Sequence, residues 1–145
     1  MTTFTEFKEK QPAVLAQQEL ILERVEGLCL ALREQYRTYS LRSFNQGRAL
    51  NPGSSDYYQK QIDAYMVGDF PMRFVIESGR KDHKIVMEDE GQRSVHAFVD
   101  KKSGDVYKAA SWKAPAKGVR YNLVSKDNYE MLKARCDWSG GYLYK

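Results

Sequence analysis

Residues 95–110, VHAFVDKKSGDVYKAA, decide how this chain folds. Two short runs of alternating side chains flank Lys101-Lys102-Ser103-Gly104, and glycine suits the positive φ that closes such a turn, so the stretch reads as a β-hairpin. The turn sets the register. Val99 then lies opposite Val106, Phe98 opposite Tyr107, Ala97 opposite Lys108 and His96 opposite Ala109. Because side chains alternate across a strand, one face carries His96, Phe98 and Tyr107, and the other carries Val95, Ala97, Val99 and Val106. The aliphatic face is the predicted core.

Upstream, Met72, Phe74 and Ile76 alternate with Arg73, Val75 and Glu77, residues 78–81 form a turn, and residues 84–88 return, giving a first hairpin. The sheet therefore spans about residues 72–110, with the acidic run Glu88-Asp89-Glu90 before Gly91 as a solvated turn between hairpins. A short helix over about 57–67 precedes it, capped by Ser55 or Asp56, with Ile62, Tyr65 and Met66 on its apolar face. Residues 43–56, SFNQGRALNPGSSD, read as a loop.

The largest element comes first. After Pro12, which suits a helix start, Leu15, Leu22, Val25, Cys29, Leu32, Tyr36 and Tyr39 recur at helical spacing, and Val14, Ile21 and Leu28 add a second line. The pattern predicts a long helix over about 12–40. Its apolar stripe is broad enough to favour packing on the sheet, and a homo-oligomer through this helix is the alternative. Gly27 costs about 1 kcal/mol of helix propensity and admits a close neighbour. Downstream, residues 111–121 form a basic loop, Ser125 caps a helix over about 126–135, and residues 138–144 could add an edge strand.

These elements predict an α+β fold: a long N-terminal helix against a small antiparallel sheet of two hairpins, with a short C-terminal helix. A chain of 145 residues that is 42% hydrophobic and 12% aromatic can bury one core, so residues 1–145 are read as a single domain. No apolar run approaches the roughly 20 residues that span a bilayer, and MTTFTEFKEK has acids where a signal peptide needs a basic then apolar stretch. The expectation is a cytoplasmic protein with no membrane partner. Neither Cys29 nor Cys136 belongs to a Cys-x-x-Cys pair, and a free buried thiol is expected at Cys29.

The net charge of +4 is unevenly spread. Residues 1–70 carry 8 basic and 9 acidic side chains, whereas residues 101–121 carry six cations against Asp105 alone. Those cations are interleaved with aromatic rings. Cations attract phosphates and flat rings stack on bases, so Lys101, Lys102, Tyr107, Lys108, Trp112, Lys113, Lys117 and Arg120 are the candidate ligand-binding residues. The competing reading is that Tyr107 and Trp112 anchor a loop while the lysines are merely solvated.

No catalytic residue, metal ligand or cofactor is assigned. His83 and His96 lie on different strands, and Asp82, Glu88, Asp89 and Cys136 would complete a zinc site only if the fold gathered them. Ser94 or Ser111 near His96 has no acid partner at a telling spacing. No phosphate-cradling Gly-Lys-Ser loop or dinucleotide fingerprint occurs. Residues 93–100, RSVHAFVD, echo an RNA-recognition strand through Arg93, Ala97, Phe98 and Val99, but lack its glycine and its second aromatic.

Residues 95–123, VHAFVDKKSGDVYKAASWKAPAKGVRYNL, resemble a stretch common in small proteins of tailed bacteriophages, and residues 77–86, ESGRKDHKIV, resemble the hairpin before it. The resemblance implies a phage accessory protein acting in the bacterial cytoplasm, and carries over no catalytic or binding residue. The expected function is non-enzymatic binding of single-stranded nucleic acid or a nucleotide. Alternatives are a module that antagonises or redirects a host protein, and a structural component of the virion.

Overall fold

The computed structural model describes residues 4–144, with side chains from residue 13 onward. A helix α1 (Phe4–Leu50) is followed by a 3-10 turn at Pro52–Ser54 and helix α2 (Ser55–Met66). Five strands come next: β1 (Arg73–Ser78), β2 (Asp82–Asp89), β3 (Gln92–Asp100), β4 (Asp105–Lys108) and β5 (Tyr121–Asn122). Helix α3 (Lys126–Arg135) and a 3-10 turn at Gly141–Leu143 close the chain. The strands form one antiparallel sheet in the order β1-β2-β3-β4-β5, so the fold is α+β.

One meander replaces two separate hairpins because Glu90 and Gly91 both adopt positive φ, 50° and 85°. A two-residue turn of that hand matches strand twist, so β2 passes straight into β3. The register Val99 to Val106, Phe98 to Tyr107 and Ala97 to Lys108 is as read from the turn. The pairing of His96 with Ala109 does not form, since Ala109 bridges Pro115 instead.

A β-bulge explains the next departure. Ile85 pairs with Ala97 and Val86 with Val95, which leaves His96 as the extra residue on β3. Val95 is thereby shifted off the face shared by Ala97 and Val99. His96 turns inward beside Phe74, 5.1 Å between ring centroids, and hydrogen-bonds through Nε2 to Tyr142 Oη at 2.7 Å.

Helix α1 is longer than its apolar period predicts at both ends. Pro12 lies inside it, and residues 43–50, expected as loop, continue it to Leu50. The extension is supported by tertiary packing: Phe44 meets Tyr65 edge-on at 5.0 Å, and Tyr58 packs against Gly47. Ser54, rather than Ser55 or Asp56, occupies the N-cap of α2, without a side-chain cap bond. Two α1 arginines hold the far end of α2. Arg37 donates to the carbonyls of Tyr65 and Met66 in the last turn, which a helix terminus leaves without an intrahelical partner, and Arg33 donates to those of Gly68, Phe70 and Met72 in the link to β1.

The core joins α1 to the inner face of the sheet. Ile21, Val25, Leu28, Cys29 and Leu32 from α1 meet Phe74, Ile85, Ala97, Val99 and Val106, with Tyr129 and Leu132 of α3 closing one side. The buried line thus takes members of both α1 stripes, and Tyr39 at one end and Leu15 at the other stay about half exposed. At 47 residues, α1 extends about 70 Å, more than twice the ~30 Å of the longest strand, so it overhangs the sheet. Ser125 caps α3 as expected, its Oγ accepting from Asn128 N–H. Residues 138–144 form a turn, not an edge strand: the Asp137 carboxylate accepts from the backbone N–H groups of Gly141 and Tyr142, and that inward-directed bonding replaces strand pairing.

Candidate anion-binding surface

A meander places its first and third turns at the same end of the sheet. Each of those turns carries two cations, Arg80-Lys81 between β1 and β2 and Lys101-Lys102 between β3 and β4. They are joined directly. Lys101 N–H donates to Lys81 O at 3.0 Å, and Lys101 Nζ donates to Gly79 O at 2.7 Å.

Between these turns and α1 runs a groove of about 940 Å³, with Leu15, Gln18, Glu19 and Leu22 on the helix wall and Arg80, Lys81, Lys101 and Lys102 on the other. Ser78, His83 and Asp100 also line it. Burial works against the charge on Asp100, and the backbone N–H groups of Ser103 and Lys102 outweigh it, holding the carboxyl below its ordinary value. Ser78 Oγ lies 2.7 Å from His83 Nδ1. Burial, helped by the Lys101 charge, pushes that imidazole below its usual range. Among the described residues no carboxylate hydrogen-bonds His83, so the pair lacks the group that orients the base in a Ser-His-Asp triad.

On the outer face of the sheet, Arg80 and Lys81 recur in a second depression lined by Glu77, Asp82, Lys84, Phe98 and Lys113. Residues 110–114 fold back over this face as a tongue, pinned where Ala110 and Ser111 N–H donate to Ala114 O and where Ala109 bridges Pro115. Trp112 is at its tip, 42% exposed, with Lys84 Nζ 4.5 Å from the ring centroid and Arg93 Cζ 5.4 Å away. Lys84 also reaches within 5.8 Å of the Phe98 ring, so its stem bridges Phe98 and the indole. Arg93 is committed elsewhere: it forms ion pairs of 2.9 Å with both Glu77 and Glu88, and Arg73 adds a 3.0 Å pair to Glu88. That network is neutral overall, which leaves Lys84 and Lys113 as the cations beside the indole.

Of the eight residues singled out by sequence, Lys101, Lys102, Trp112 and Lys113 fall on this connected surface. Tyr107 shares the outer face, across from Phe98, but lines neither the groove nor the depression, and burial with the Asp105, Asp100 and Asp82 carboxylates pushes its hydroxyl up. Lys108 lies over the Tyr144 ring at 3.9 Å, toward the C-terminal turn. Lys117 is exposed beyond the tongue, and Arg120 is half-buried where its N–H donates to Val106 O at 2.7 Å. Composition around residues 101–121 missed Arg80, Lys81 and Lys84, although two dibasic turns on alternate hairpins were a legible signal.

The remaining chemistry is structural. Both cysteines are free and buried, and burial pushes Cys29 up to about 12 and Cys136 up to about 11, which leaves the thiols protonated and unreactive. Among the described residues no three His, Cys, Asp or Glu side chains gather to hold a metal ion, and no helix is long and apolar enough to cross a membrane.

No curated protein and no solved structure matches the chain. A family profile described as a family of unknown function, DUF7717, matches residues 4–145, and the chain belongs to that family.

Proposed function

We propose that this protein binds single-stranded nucleic acid along the basic band that joins its two dibasic turns to Trp112, as a non-enzymatic accessory protein. One observation carries the reading: Arg80 and Lys81 line both the groove against α1 and the depression on the outer face, so the cations of the two sides form one band from Lys102 to Lys113, in excess over the Glu19, Asp100, Glu77 and Asp82 carboxylates beside them. A flexible strand can follow such a curved path around the sheet end, whereas a duplex cannot. Its unpaired bases can stack on the exposed edge of Trp112, and its phosphates meet Lys113, Lys84, Arg80, Lys81 and Lys101 in turn. The likeness of residues 95–123 to small proteins of tailed bacteriophages supports a phage accessory role in the bacterial cytoplasm.

Fluorescence tests the reading directly. In a Trp138→Phe background, titration with an unstructured oligonucleotide should quench Trp112. Four to five neutralised phosphates give a slope of log K against log salt of about −3. Absence of quenching at low salt, or affinity that ignores salt, overturns the proposal.

A further inference from the structure

We infer that the groove between α1 and the two dibasic turns holds a terminal phosphate of the strand, so that the protein grips single strands by an end. The inference rests on the binding reading above and concerns how the band stops. On the outer face the band is open, but at α1 it is closed off. Gln17 Nε2 donates to Lys102 O at 2.7 Å, which ties the helix to the β3–β4 turn and bridges the groove at Lys102. A chain entering past Arg80 and Lys81 therefore meets a wall of Leu15, Gln18, Glu19 and Leu22.

The walls suit a strand end. The phosphate is placed on the side of Arg80, Lys81, Lys101 and Lys102, away from Glu19 on the helix wall, where Leu15 and Leu22 offer apolar surface to a terminal base and sugar. At about 940 Å³ the groove lies in the range of sites that enclose small ligands, roughly 300–1,000 Å³, and has room for one nucleotide. A terminal phosphomonoester carries about −1.5 to −2 at neutral pH, against −1 for an internal phosphodiester. Arg80, Lys81, Lys101 and Lys102 outnumber Glu19 and Asp100 around this groove, and the remaining positive excess favours the more highly charged terminus over a mid-strand phosphodiester. His83 lines the same space, where burial pushes its imidazole below the usual range, and the backbone N–H groups of Lys102 and Ser103 hold the Asp100 carboxylate in place.

Four forms of one oligonucleotide provide the test, all titrated against Trp112 fluorescence: 5′-phosphorylated, 3′-phosphorylated, hydroxyl at both ends, and ligated into a circle. One phosphorylated form should bind about tenfold or more tighter than both the hydroxyl-ended strand and the circle, and which one identifies the end that is held. Lys102→Ala, whose side chain takes no part in the Gln17 bond, should bring that ratio toward one. Equal binding by the circle, or by the hydroxyl-ended strand, overturns end recognition and leaves the band intact. Failure of every form to bind overturns the band itself.

Discussion

At Gly27, Tyr129 of α3 packs directly against α1. A β-carbon there would overlap Tyr129 Oη, and Tyr129 is buried with the Arg24 guanidinium 5.1 Å from its ring. Two magnitudes compete in Gly27→Ala: about 1 kcal/mol of helix propensity gained and about 1–3 kcal/mol of overpacking lost. The buried ring has little room to withdraw, so the substitution should destabilise by about 1 kcal/mol net in urea unfolding. In a Tyr129→Phe background the overlapping oxygen is gone, and the same change should become neutral or stabilising. A gain in stability with Tyr129 intact would refute this packing. His96 offers a second test at this scale. Desolvation pushes its imidazole down to about 4, with the Asp137 carboxylate opposing, so in the folded state it binds a proton less readily than in the unfolded chain. Its stabilising contribution is therefore complete above the ordinary histidine value and is lost as pH falls toward 4, on the order of 3 kcal/mol across that window. His83 acts in the same direction and Asp82, pushed up by burial, in the opposite one. His96→Gln keeps a hydrogen-bonding partner for Tyr142 and should flatten the loss of Tm between pH 6.5 and 4. An unchanged pH profile would exclude His96 as its source.

Among the elements, the two-residue strand β5 is held by one side chain more than by its ladder. Asn122 Nδ2 donates to Ser103 O at 2.9 Å and to Asp105 Oδ1 at 2.8 Å, and its Oδ1 accepts from Val124 and Ser125 N–H at 2.9 and 3.0 Å. One amide thus ties the β3–β4 turn, the start of β4 and the entry to α3. Asn122→Ala leaves several partly buried groups unpaired and should cost about 2–3 kcal/mol, against about 1 kcal/mol for Ser125→Ala at the helix cap. Equal costs in parallel denaturant titrations would show that the hub carries no more than an ordinary cap. The same reasoning explains why β5 escapes sequence reading. Tyr121-Asn122 has no period to detect, and its place depends on a turn 18 residues earlier.

At the scale of the whole molecule, α1 is a scaffold longer than the sheet it covers. Its C-terminal overhang is held by α2, and near its N-terminal end Leu15, Gln18, Glu19 and Leu22 form one wall of the groove. The binding band should follow position rather than charge count. Arg80→Glu and Lys81→Glu together should weaken oligonucleotide binding by tenfold or more, by about the loss expected for removing two phosphate contacts. Lys117→Glu changes net charge as much as either single substitution but lies off the band, so it should cost little in the same titration. If Lys117→Glu matched the effect of Arg80→Glu, long-range charge rather than a located surface would explain binding.

What the amino-acid order determined by itself was local. The α+β class, the β3–β4 register from Val99 to Val106, the Ser125 cap and the whole of α3 follow from alternation, turn glycines and capping chemistry among near neighbours. Tertiary structure alone decided which face His96 joins, how far α1 runs and which cations share a surface. The bulge at His96 responds to packing against Phe74 and Tyr142, the last turns of α1 are supported by contacts with α2, and the tongue puts Trp112 over a lysine 28 residues away in sequence. Such choices are made by contacts between distant segments, whose energies no local period encodes.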